Sequence, residues 1–109
     1  VDDRVRLPLF TALVREPSMA PALHDGDAIL VLRTRRVRPG DVVVVRFPRQ
    51  DGLFVKRAVR RVPGGWWVLG DHAAVSADSR RFGTATVVGR VLLRWWPRLG
   101  RIPGPPPAH

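Results

Sequence analysis

The sequence predicts an all-β domain built as a coiled, barrel-like sheet, and three observations predict it. Short apolar, β-branched runs recur along the chain, separated by Gly and Pro turn signals. No stretch carries the 3.6-residue apolar period of a convincing helix. The 109 residues supply one core and leave no room for two independent ones.

The elements follow in order. Ala28–Leu32 is an apolar run behind the Asp25-Gly26-Asp27 turn, and Pro39-Gly40 then punctuates the chain. Asp41–Phe47 contains four consecutive valines and reads as a buried strand. Asp51-Gly52 is a hairpin-type dipeptide leading into Leu53–Val62. Pro63-Gly64-Gly65 turns the chain into Trp66–Leu69; Gly70–Gly83 is polar and loop-like, and Thr84–Leu93 is a last β-branched run. Residues 1–13 read as an N-terminal segment, 14–96 as the folded domain, and 97–109, rich in proline, as an extended and flexible tail.

Composition narrows the function. Lys and Arg number 19 against 9 Asp and Glu, a net charge of +10. Lys56 is the only lysine, Met19 the only methionine, and serine occurs at Ser18, Ser76 and Ser79 alone. With no cysteine, a disulfide framework, a Cys zinc ribbon, a thiol protease and a redox dithiol are excluded. No segment reaches the roughly 20 apolar residues of a membrane-spanning helix. The best candidate, Leu7–Val14, is short and contains Pro8. The expectation is a cytoplasmic protein.

The rare residue types fall in three segments: Ser18-Met19-Ala20-Pro21, Lys56-Arg57, and Gly70-Asp71-His72 running on to Ser76-Ala77-Asp78-Ser79-Arg80. This chain uses arginine for surface charge yet keeps one lysine among Phe54, Val55 and Ala58. Arginine stays protonated in proteins, whereas lysine gives up its proton once desolvated. A serine hydroxyl is a poor nucleophile until a base takes its proton. A lysine can be that base where burial disfavours the ammonium form. Ser18 and Lys56 are therefore candidates for a nucleophile–base dyad.

The three segments resemble the boxes of the signal peptidase I family of Ser/Lys proteases, whose sheet is shared with LexA-type self-cleaving repressors. The resemblance spans about Val14 to Leu93. It implies an all-β fold of the LexA/signal peptidase type with Ser18 as nucleophile and Lys56 as general base. It further implies that Ser76 orients the lysine, that Asp78 and Arg80 form a supporting ion pair, and that Asp71 supports the site. The oxyanion would rest on the Ser18 backbone N–H, because Glu16 stands where larger members often carry a donating serine. His72 replaces the usual Asn. Only 13 residues separate Lys56 from Gly70, too few for the extra domain of larger members.

The minimal size resembles the nickel-type superoxide dismutase maturation proteases, which remove a short N-terminal leader. The implied partner is a protein substrate with such a leader, bound as an extended strand, with Met19 and Pro21 among its contacts. No cofactor and no metal are implied. A general signal peptidase acting on secreted preproteins is the alternative.

Three other readings compete. His24 with Asp25, or His72 with Asp71, could complete a triad with Ser18, but adjacent loop residues seldom build that geometry. The cluster Arg33, Arg35, Arg36 and Arg38 suits nucleic acid, yet no aromatic platform for bases accompanies it, so nucleic acid is not the expected partner. Trp95-Trp96 with the basic tail suits peripheral contact with an anionic membrane. None of the three accounts for the segments above.

Overall fold

The computed structural model describes residues 8–15, 19–72 and 77–105, and all structural statements concern those residues. Strands β1 (Leu9–Leu13), β2 (Ala28–Leu32), β3 (Val42–Arg46), β4 (Phe54–Val62), β5 (Gly65–Leu69), β6 (Thr86–Trp96) and β7 (Gly100–Arg101) form one antiparallel sheet; a single helical turn, α1 (Ser79–Phe82), precedes β6. The strand order is β1-β2-β6-β3-β4-β5, with β7 paired to β6. The predicted all-β fold is what the chain adopts.

The sheet coils because β6 is shared. Its first half pairs with β3, from Thr86 opposite Arg46 to Arg90 opposite Val43. Its second half pairs with β2, from Arg90 opposite Leu32 to Trp96 opposite Ala28. Register shifts interrupt both pairings, and such bulges bend a strand and raise its twist. The far edge then curls back, since Trp66 on β5 exchanges backbone hydrogen bonds with Ala85, just ahead of β6. Strands β6, β3, β4 and β5 thus close on themselves. Gly65 permits the closure, because a Cβ there would overlap the Ala85 carbonyl oxygen. Gly89 permits the crossing of β2 over β6, where a Cβ would sit 2.6 Å from both the Leu32 oxygen and Val31 Cγ1.

Two cores result. Val14, Met19, Leu23, Ile29, Val31, Val42, Val44 and Val91 form the first; Val43, Val45, Phe47, Ala58, Trp66, Val68, Ala85 and Val87 form the second. Strand residues alternate between faces, so the four valines of β3 feed both cores in turn. Each such buried valine contributes about 1.5–3 kcal/mol relative to exposure.

Two strands lie where the sequence signals none. β1 falls within the N-terminal segment and pairs along its length with β2. β7 falls within the proline-rich tail, where Leu93 pairs with Arg101 and Ile102 packs on the first core. Prolines on either side of so short a run conceal the pairing that organises it.

Candidate active site

Lys56 is the third residue of β4 and is fully buried, at 0% exposure. Its side chain shares a face with Phe54 and Ala58, opposite Val43 of β3, so the strand period directs it into the second core. Its Nζ lies 5.9 Å from the Phe54 ring centroid. Phe54 in turn packs against Phe47 and Phe82, at 5.2 Å for Phe47–Phe54 and 6.1 Å for Phe54–Phe82. Lysine is almost never buried so completely. Every buried side-chain nitrogen and oxygen among the described residues has a hydrogen-bond partner.

Ser18, with Glu16, lies outside the described residues, but the chain on both sides is fixed. Val14 is buried, donates its N–H to the Asp27 carbonyl and accepts from the Gly26 N–H. Met19 is fully buried in the first core. A cleft of about 250 Å³ opens between Leu13, Val14 and Arg15 on one wall and Leu53, Phe54 and Val55 on the other, with Asp51 at its rim. Those walls are the residues just ahead of the Ser18 segment and just ahead of Lys56. Sequence reasoning missed this cleft, because its walls come from strands β1 and β4, far apart in the chain.

Arg57 points to the face opposite Lys56 and is also buried. Its Nε donates to Asp71 Oδ1 at 3.1 Å and its Nη2 to Asp71 Oδ2 at 2.6 Å, a two-pronged ion pair. Nη1 donates to the carbonyls of Gly40 and Pro103, and Nη2 to that of Gly104. All five guanidinium N–H groups are thereby used. Leu69 pairs with Arg57, so the Gly70-Asp71 turn follows beside Lys56-Arg57.

Asp78 anchors the other end of that loop. Its carboxylate caps α1, accepting the Arg80 N–H, the Gly70 N–H and both Arg80 Nε and Nη2. Burial alone would raise this carboxyl; the Arg80 side chain and the two backbone N–H groups outweigh it and hold Asp78 below the ordinary aspartate range. Asp78 in turn raises the Arg80 guanidinium. Ser79, given no role above, accepts the Val68 N–H through Oγ at 2.9 Å and ties the loop to β5. Ser76 lies outside the described residues, in the stretch bracketed by Asp71-His72 and Ala77-Asp78.

The structure thus brings Lys56, Asp71, Asp78 and Arg80 onto neighbouring elements. Met19 and Pro21 do not line the cleft: Met19 belongs to the core and Pro21 is exposed. His24, Asp25 and His72 are not buried, and both carboxylate oxygens of Asp71 accept from Arg57.

Residues 5–92 match the family model described as Peptidase S24-like. The chain is 32% identical, over 123 aligned positions, to the mitochondrial ATP-independent inner membrane protease subunit 1a of Arabidopsis thaliana, with 84% of this chain and 73% of the relative covered. It is 34% identical over 131 positions to the mitochondrial inner membrane protease subunit 2 of Danio rerio, covering 90% of this chain and 72% of the relative.

Proposed function

The chain belongs to the Peptidase S24-like family, and on that premise we propose a serine endopeptidase that removes an N-terminal leader through a Ser18/Lys56 dyad. The observation that carries this reading is the sole lysine of a strongly basic protein, fully buried on the apolar face it shares with Phe54, a residue that lines the cleft. Arginine serves every surface need here, and only lysine can lose its proton.

In the reaction, the substrate lies extended in the cleft between β1 and β4. Ser18 Oγ attacks the scissile carbonyl carbon as Lys56 Nζ takes the hydroxyl proton. The negative charge of the tetrahedral intermediate rests on the Ser18 backbone N–H. Lys56 passes the proton to the departing amine, leaving an acyl-enzyme. Water, deprotonated by Lys56, then releases the acyl group and restores Ser18. Arg57–Asp71 and Asp78–Arg80 hold the two ends of the loop that carries Ser76, the residue assigned to orient Lys56.

The substrate proposed is a nickel-type superoxide dismutase precursor. Between Lys56 and Gly70 the chain is a tight β4–β5 hairpin, which supports the compact branch of the family. Relatives named as inner membrane protease subunits support work near a membrane. Exposed Trp95, Trp96 and Leu99, among Arg94, Arg98 and Arg101, suit peripheral contact with anionic lipid.

The test incubates the protein, Ser18→Ala and Lys56→Ala with such a precursor and with a secreted preprotein, following intact mass at about pH 7 and about pH 9. One cut near the precursor's N-terminus is expected, slowed at least about a thousandfold in either variant. Cleavage that survives Lys56→Ala sinks the dyad. A cut in the secreted preprotein alone replaces the substrate with that of a general signal peptidase.

A further inference from the structure

Three fixed contacts shape the segment between β2 and β3. The Arg36 N–H donates to Thr34 Oγ1 at 3.0 Å, the Arg38 N–H to Asp41 Oδ2 at 2.9 Å, and Arg90 Nη1 to the Arg36 carbonyl at 3.3 Å. The result is the wall of a groove of about 1020 Å³ lined by Arg33, Arg35, Arg36, Arg38, Arg61 and Arg90. Asp41 is the one carboxylate residue lining it. An adjoining cavity of about 500 Å³ adds Arg46. Arg57–Asp71, Arg80–Asp78 and Arg94–Asp27 form ion pairs elsewhere in the molecule. Arg35, Arg36, Arg38, Arg61 and Arg90 belong to none of them. Guanidinium groups gathered at one concavity repel one another, and those of Arg35, Arg36, Arg38 and Arg61 keep their paired donors for an anionic partner.

The groove takes Arg61 from β4, the strand of Lys56, and Arg90 from β6. Lys56 stands opposite Val43 and Val43 opposite Arg90, so Arg90 lies two strands from Lys56 in one cross-strand row, about 10 Å away. The cleft lies against the start of β4, whereas Arg61 is five residues beyond Lys56, about 17 Å along the strand.

We propose that this groove is a docking site for an acidic segment of the polypeptide being processed, a reading that rests on the peptidase assignment above. Its shape and lining select that partner. A planar bilayer cannot follow a concavity. No aromatic side chain lines the groove itself, and Trp66, which lines an adjoining pocket with Arg35 and Arg61, is buried, so single-stranded bases find little stacking surface. Carboxylates on an extended chain match the planar fork of each guanidinium. The fixed loop also reduces the ordering that binding requires.

The probe is a fluorescein-labelled peptide of about ten glutamates, read by anisotropy at roughly 50 and 200 mM salt, with an oligothymidylate and anionic vesicles as comparators. The variants are the triple Arg35→Gln, Arg36→Gln, Arg38→Gln, and Arg61→Gln alone on another strand. Peptide binding should weaken with salt and fall about tenfold in the triple variant, as for three exposed ion pairs. Arg61→Gln should produce a smaller loss in the same direction. A precursor carrying an acidic insert should be cut faster than its Gly/Ser counterpart by the native protein and no faster by the triple variant. Equal peptide binding by all forms, no binding at all, or arginine-dependent preference for oligothymidylate or vesicles overturns the proposal. If neither precursor is cut while arginine-dependent peptide binding holds, the peptidase reading fails and the groove stands only as an acidic-polypeptide site.

Discussion

Replacing Arg57 with lysine tests the clamp that ties the C-terminal segment to the Asp71 turn. The native guanidinium places two N–H groups on Asp71 and one each on Gly40, Pro103 and Gly104. Lysine keeps the charge but offers three donors on one atom and cannot span acceptors lying on three segments. Loss of one partner from a buried pair costs about 3–5 kcal/mol, and lysine's residual contact with Asp71 lowers that to roughly 3 kcal/mol. For a domain of this size the urea midpoint should fall by about 2 M, given a slope of roughly 1–2 kcal/mol per molar. Deleting 100–109 removes two of the five acceptors, the β7 pairing and Ile102 packing. Because both changes act on one guanidinium, their combination should be less than additive by about 1 kcal/mol or more. If Arg57→Lys leaves the midpoint within about 0.3 M, or the two effects simply add, Arg57 is not the clamp described.

Two further outcomes follow from the same geometry. Asp78 is held below its ordinary value of 3.8, so its carboxylate stabilises the fold above that value and the contribution is lost as pH falls through the lower, folded-state one. Urea midpoints measured from about pH 6 to about pH 3 should decline in the native protein and decline less in Asp78→Asn. Gly65→Ala should destabilise by about 1–3 kcal/mol, because the new methyl meets the Ala85 backbone rather than a flexible side chain. Its thermal midpoint should drop, with Gly64→Ala as a control in open space but at positive φ.

Strands β2 to β6 were legible because each is an apolar run with its own turn signal: the four valines behind Pro39-Gly40, or the pair of hairpin turns at Asp51-Gly52 and Pro63-Gly64. β1 and β7 were not, since Leu9–Leu13 is a short run beside Pro8, Gly100–Arg101 is only two residues long, and pairing with β2 and β6 defines both. At the candidate site, Lys56 stands out because it is the only lysine. The clamping role of Arg57 was hidden for the opposite reason, since it is one buried arginine among many exposed ones. Asp71 could be named from its box, but not its partner, which depends on Leu69 pairing with Arg57. Ser79 looked like the second serine of a motif, and its bond to the Val68 N–H emerges only once β5 is placed.

The alternation of Val42 to Val45 between the two cores has a consequence for how the molecule comes apart. A strand whose even members belong to one core and odd members to the other cannot leave either without uncovering both. The lobes flanking β3 are therefore not separable folding units, although each has its own cluster and its own half of β6. Opening on one side uncovers the other through a single shared strand, so a single cooperative unfolding transition is expected. Lys56, paired across to Val43, sits at the middle of that body and not on a flap at its margin.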